Sequence, residues 1–327
     1  MTDIAVTTPE VARTLRVEQR RNVGLGARLH GALSAVPTAV LWLLVLLWSL
    51  PTIGMLVSSF RAEQAVKTTG WWTVVSDPQL TLDNYRAVFS SSTQDAPNMW
   101  EHFANSIAIT VPATVIPIAF AAFAAYAFAW MDFKGRHWLF IGVVALLAVP
   151  LQMSLIPLLR LVTDGAHLSV LGETITVFPY LHLNGTATAV WLTHIGFGLP
   201  LAIFLLHNYI SSLPGDLFEA ARIDGADHPT IFWRLVVPLS VPALAAFAIF
   251  QFLWVWNDYL VAVTFLGSES TKPIPMTVRL ATLSGGRGED WHLLTAGAFV
   301  SMAVPLVVFF ALQRYFVRGL LAGSVKG

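Results

Sequence analysis

The sequence contains no cysteine. That excludes disulfides, thiolate metal sites and a cysteine nucleophile. Charge is scarce as well. Only 12% of the residues are Asp, Glu, Lys or Arg, against about 25% in an ordinary soluble domain. The charges that exist cancel, with 19 basic against 19 acidic residues, so nothing points to nucleic acid as a partner. No G-x-x-x-x-G-K-[ST] run occurs, so the chain has no phosphate-binding loop of that kind. No His-Glu-x-x-His occurs and the nine histidines are scattered, which leaves no metal-ligand spacing. The glycine-rich run Ser284-Gly285-Gly286-Arg287-Gly288 follows no buried strand and reads as a flexible loop. Catalytic, cofactor-binding and metal residues are therefore all expected to be none, and the chain is not expected to be an enzyme.

What the chain does have is apolar length. Hydrophobic residues make up 56% of it, the composition of an integral membrane protein. Apolar stretches fall at about 31–59, 103–130, 138–162, 186–210, 239–267 and 292–316. Each exceeds the ~20 residues that cross a bilayer core. Only helices satisfy the backbone in lipid at such lengths, so the expected fold is all-α with six transmembrane helices. The domain reading is a polar N-terminal segment, 1–30, followed by one six-span domain, 31–327. The segment carries Arg13, Arg16, Arg20, Arg21 and Arg28. The apolar stretch after it is too long for a signal-peptide core and reads as an uncleaved first span.

Charge sets the orientation. With the N-terminus inside, the inner segments hold 12 Lys and Arg and the outer ones 6. The positive-inside rule then places both termini and residues 211–238 in the cytoplasm. The long outer segment, 60–102, holds Trp71-Trp72, suited to an interfacial aromatic belt. It also holds a short amphipathic helix candidate, Leu82, Tyr85, Val88 and Phe89. Ala121, Ala125 and Ala129 share one face of the second span and suit close helix packing. Pro112, Pro117, Pro150, Pro157, Pro200 and Pro305 lie inside spans.

One polar interval stands out. Residues 219–242 read EAARIDGADHPTIFWRLVVPLSVP between two apolar spans. Pro214 and Asp216 suit the start of a helix. Asp224-Gly225 suits its end, because Gly accepts the left-handed backbone that stops helices. The interval reads as two short helices around a turn. Phe218, Ala221, Ile223, Phe232, Trp233 and Leu235 add large apolar groups that a bare loop does not need and a docking surface does.

This interval resembles the EAA loop of ABC importer permeases, whose pattern is E-A-A, three residues, G, nine residues, I, one residue, L-P. Glu219, Ala220, Ala221, Gly225 and Pro238 match, and Leu235 and Val237 stand for the Ile and Leu. Asp224-Gly225-Ala226 matches the form of the carbohydrate branch. The resemblance runs from about Pro51 to Gly327. It includes Asn105-Ser106, Ala125-Tyr126-Ala127, Phe133-Lys134-Gly135-Arg136, Trp256-Asn257-Asp258-Tyr259-Leu260 and the tail from Gln313. It is similar to the maltose-type, MalG-like family. The resemblance implies a type I importer permease fold with a loop, 211–238, that couples to an ATPase through Glu219, Ala220, Ala221, Asp224, Gly225, Ala226, Phe232 and Pro238. It implies a prokaryotic inner membrane, a homologous second permease subunit, a cytoplasmic ATPase dimer, an extracytoplasmic solute-binding protein and a sugar as cargo. ATP and Mg2+ would sit on the ATPase, with no cofactor in this chain. In the tail, 317–327, Arg318, Gly323, Lys326 and Gly327 either reach the ATPase or form a frayed end.

Polar groups at membrane depth are costly and face a cavity or one another. Gln152, Gln251, Trp254, Asn257, Asp258 and Tyr259 are the translocation-path candidates, and Thr193 and His194 are polar positions on the fourth span. Interhelical hydrogen bonding is the competing role for each. A secondary carrier driven by ions is the alternative function. It calls for an ionisable relay and repeated halves, and neither is visible in the sequence.

Overall fold

The computed structural model describes residues 38–90, 99–170, 173–267, 272–283 and 290–324. Residues 1–30, the first seven residues of the expected first span, the glycine-rich run at 284–288 and the tail residues Lys326 and Gly327 lie outside them. The chain divides into two compact units, Met1–Met55 and Leu56–Gly327. Helix α1, Thr38–Ser59, is an apolar run of 22 residues with Pro51 inside it. It makes up all that is described of the first unit and enters the second.

The second unit is a helix bundle. Its long members are α4 (Met99–Trp130), α7 (Ala187–Ile210), α10 (Val237–Trp256) and α13 (Trp291–Ser324). Alanine and glycine decide how closely they approach. Ala113, Ala121 and Ala125 of α4 and Ala189 and Ala202 of α7 are completely buried. In lipid the driving force between helices is packing, and small residues let backbones come near. The buried side chains form separate clusters along the bundle. One holds Ile109, Leu155, Val190, Val261 and Phe265. Another holds Tyr126, Ile203, Leu206, Phe218, Phe232 and Phe247 and gathers the 211–238 interval to the bundle.

Two of the apolar stretches are not single helices. The stretch expected at 138–162 is α5, Arg136–Ala145, with a 3-10 turn, Leu146–Ala148, then α6, Leu151–Asp164. The two halves meet at 104°. Pro150 is the cause. It has no N–H to continue the ladder, and it sits in extended backbone at φ −68°, ψ 129°. The stretch expected at 239–267 stops at Trp256 and restarts as α11, Leu260–Leu266. Hydropathy counts residues and does not see such breaks. The last helix, in contrast, runs past the expected 316 to Ser324, so Arg318 and Gly323 lie on helical backbone.

The end of the bundle opposite residues 211–238 carries the short elements. They are α2 (Glu63–Thr68), a 3-10 turn (Trp71–Val75), α3 (Asp83–Ser90) and α12 (Met276–Leu283). The amphipathic helix expected from Leu82 to Phe89 is α3. Arg61 holds this region together. It is 1% exposed, and its guanidinium donates to the Gly70 carbonyl at 2.8 Å and to Thr69 Oγ1 at 3.0 Å. Asn84 Nδ2 donates to the carbonyls of Ser59 and Arg61. Among the described residues the helical fold also carries an antiparallel hairpin, β1 (Ala166–Val170) and β2 (Glu173–Phe178), which joins α6 to α7.

Candidate functional site

The 211–238 interval folds as its residues dictate. Pro214 caps α8, Gly215–Ile223, and Asp216 stands in its first turn. The far end is a Schellman stop. Gly225 N donates to the Arg222 carbonyl at 3.0 Å and Ala226 N to the Ala221 carbonyl at 2.9 Å. Gly225 takes φ +82°, the left-handed conformation this stop requires. Ala221 and Ala226, half-buried in the same apolar cluster, supply the contact that accompanies such a stop. The spacing from E-A-A to G is therefore the length of one short helix and its cap.

Two aromatic anchors set α8 on the bundle. Phe218 is 1% exposed and stacks on Trp130 with centroids 3.7 Å apart. Trp130 Nε1 donates to the Ile210 carbonyl at 3.1 Å, which joins the ends of α4 and α7. Beyond the stop, Asp227 caps α9, His228–Ile231, accepting from Thr230 N at 2.9 Å. The Thr230 hydroxyl and amide hold the Asp227 carboxyl below the usual carboxylate range. His228 Nδ1 lies 2.8 Å from the Tyr126 hydroxyl. The chain then passes through a π turn, Phe232–Val236, straight into α10. The second short helix is thus the first turn of a longer one.

This arrangement sorts the residues expected to couple. Glu219, Ala220, Asp224 and Gly225 are exposed, and Pro238 is exposed in the first turn of α10. Ala221 and Ala226 are half-buried. Phe232, expected among the coupling residues, is 4% exposed and stacks on Phe123 at 4.5 Å and against Tyr126, so its ring faces the bundle. Ile223, expected among the apolar groups of a docking surface, is 86% exposed. Trp130 and His228 were missed as anchors. The only signal for either is position, an aromatic ending one apolar stretch and a histidine opening the next.

The path candidates separate in the same way. Gln251 is fully buried, and Nε2 donates to the Ala113 carbonyl at 3.1 Å and lies 3.5 Å from the His194 carbonyl. It tethers α10 to α4 and α7. Gly198 makes room for it, since a Cβ there would stand 2.7 Å from the amide. Asn257 and Asp258, expected within a helix, lie in the break before α11. Asn257 is exposed and bonds back to the Leu253 carbonyl at 2.8 Å. Asp258 caps α11, accepting from Val261 N at 3.3 Å and Ala262 N at 3.0 Å. Trp254 meets the His194 ring edge-on at 5.3 Å. Tyr259 is 45% exposed, and Gln152 is exposed beside the other break. An apolar groove of about 390 Å3 runs between the bent third stretch and α7, lined by Val149, Ser154, Leu158, Leu192, Thr193 and Phe197. No group of three or more His, Cys, Asp or Glu that could hold a metal exists among the described residues.

The fold is thus a bundle of apolar helices long enough to cross a membrane, with breaks in two apolar stretches and a short helix set on aromatic anchors at one end. The chain belongs to the family of binding-protein-dependent transport system inner membrane components, which it matches over residues 117–321. It is 56% identical over 284 residues to the osmoprotective compounds uptake permease protein GgtD of Synechocystis sp., covering 86% of this chain and 88% of that one. It is 53% identical to the alpha-glucoside transport system permease protein AglG of Rhizobium meliloti, over 83% of this chain and 67% of that one. In fold it is similar to a chain of a bacterial ABC transporter that imports alginate. That likeness has a TM-score of 0.66 at 22% identity and covers 89% of this chain and 98% of that one. The MalG-like resemblance and the type I permease fold both stand on these findings.

Proposed function

We propose that this chain is the permease subunit of an ATP-driven sugar or oligosaccharide importer and works by alternating access. Its cargo class follows the alpha-glucoside relative at 53% identity. ATP binding closes a cytoplasmic ATPase dimer. The ATPase moves α8, α8 moves α4 and α7 through the Phe218–Trp130 stack, and the bundle rocks to open toward a loaded solute-binding protein. ATP and Mg2+ belong to the ATPase, and this chain does no covalent chemistry. A second, homologous permease subunit closes the path. The chain lies in the inner membrane with both termini cytoplasmic, the orientation its Lys and Arg distribution supports. The ion-driven carrier gains no support from the family or the fold. Arg318, Gly323, Lys326 and Gly327 at the tail are proposed as a second contact with the ATPase.

The observation that carries this reading is α8 itself. Its inner face is anchored by Phe218, while Glu219, Ala220 and Ile223 point away from the bundle. An isoleucine 86% exposed beside a carboxylate fits insertion into a cleft with an apolar floor and basic rim. The test is co-purification in mild detergent of the tagged chain, wild type beside Gly225→Pro. Wild type should bring down an ATPase and a second permease, and Gly225→Pro should lose the ATPase alone. A wild-type chain that purifies without any ATPase would sink the coupling role.

A further inference from the structure

The break before α11 holds one ionisable side chain, Asp258, against another on α7. His194 of α7 is 1% exposed, and its Nε2 lies 3.5 Å from Asp258 Oδ2. Neither ring nitrogen of His194 makes a hydrogen bond among the described residues. Trp254 closes one side of the imidazole edge-on, and the Gln251 amide lies against the His194 carbonyl. Asp258 is tied in three directions. Its carboxylate caps α11 through Val261 N and Ala262 N. Its backbone carbonyl accepts from Thr277 Oγ1 of α12 at 2.6 Å. Its Oδ2 faces the imidazole.

A buried imidazole with both nitrogens unpaired is an unfavourable state that native proteins keep only for a reason. Here the Asp258 carboxylate stands at ion-pair distance from the ring, 3.5 Å, longer than an ordinary hydrogen bond. Asp258 lies in the break, two residues before α11, and its carboxylate ties the break to the first turn of that helix. A small tilt of α11 against α7 makes or removes the bond. We propose that His194 and Asp258 form a latch between the fourth span and the hinge of the fifth, engaged in one state of the transport cycle and released in the other. They are positioning residues: His194 acts on the hinge through Asp258 and touches no cargo. The inference rests on the alternating-access reading above.

The absence of cysteine allows a direct test. Tyr259→Cys, at the hinge and 45% exposed in the parent, supplies this chain with a single thiol. The assembled transporter is reconstituted, and the rate at which a maleimide labels this chain is compared without nucleotide and after trapping with ATP and vanadate. With His194 intact the two rates should differ by at least ~5-fold, as a two-state hinge requires. Adding His194→Phe, which keeps an aromatic ring and removes the donor, should bring the rates within about 2-fold. His194→Gln, which restores a donor, should recover most of the difference. A merely structural histidine would not be rescued by glutamine in this way. Asp258→Asn keeps the helix cap and removes the charge, and it should also narrow the difference, so the test survives a His194→Phe chain that fails to fold. A nucleotide-dependent difference that persists unchanged in His194→Phe, or in Asp258→Asn, overturns the latch alone. Equal rates in the Tyr259→Cys parent overturn alternating access at this hinge and the latch with it.

Discussion

Gly225 stands at φ +82° with open space where a Cβ would go. A substitution there meets no clash, and its cost is the backbone alone. Gly225→Ala should destabilise the α8 stop by about 1 kcal/mol and Gly225→Asn by less, because Asn visits this conformation more readily. Thermal unfolding of the purified chain checks the order. Gln251 tests the path against the packing role. Its Nε2 donates to the Ala113 carbonyl, so Gln251→Leu should lower stability by about 1 kcal/mol and leave the KM for the transported sugar unchanged. A raised KM with unaltered stability would return Gln251 to the path. Phe232 was legible as an important aromatic but not as an inward one. One residue in 219–238 looks much like its neighbour until a helix phase is known, and the π turn at Phe232–Val236 shifts that phase by a residue.

Among elements, α8 and α9 are the most local. Their caps are in the sequence, and the structure uses them: Asp216 in the first turn of α8, Gly225 at its stop, Asp227 as the cap of α9. The Asp227 cap predicts a pH dependence. Its folded pKa lies below the usual carboxylate value, so its stabilising effect is fully present above about pH 4 and is lost as pH falls through the lower folded value. The unfolding-midpoint difference between wild type and Asp227→Ala should vanish under acid and hold constant toward neutral pH. Asp227→Asn should stay close to wild type throughout. Phe232→Ala should destabilise the start of α10 by about 3 kcal/mol, the low end for a buried phenylalanine, because the reference state itself lies in lipid. The broken elements were less legible. Pro150 is visible in the sequence, yet Pro112 and Pro117 lie within a continuous helix, α4, so a proline alone does not say where a helix bends.

At the scale of the whole molecule, function belongs to an assembly. Glu219→Lys changes an exposed side chain and should leave the unfolding midpoint of this chain within about 0.5 kcal/mol of wild type. It should nevertheless lower ATPase recovery in co-purification and lower coupled transport. Loss of the chain itself from the membrane would contradict a docking role. The Phe218–Trp130 stack predicts a different pattern. Phe218→Ala should retain exposed docking groups yet weaken the transmission of ATPase movement to α4, so that ATP hydrolysis continues while transport falls.

The amino-acid sequence by itself determined the membrane class, the helical fold and the caps of the segment proposed to couple. Those rest on hydropathy summed over ~20 residues and on a local cap whose geometry is settled by the few residues that make it. Only the tertiary structure decided which of those residues face outward. It turned Ile223 out and Phe232 in, bent the third stretch by 104° and broke the fifth at Asn257. It also brought His194 to Asp258 across 64 residues of chain. Such pairings depend on helix phase and on which small residues let two helices approach, and both are properties of packed neighbours rather than of any one segment.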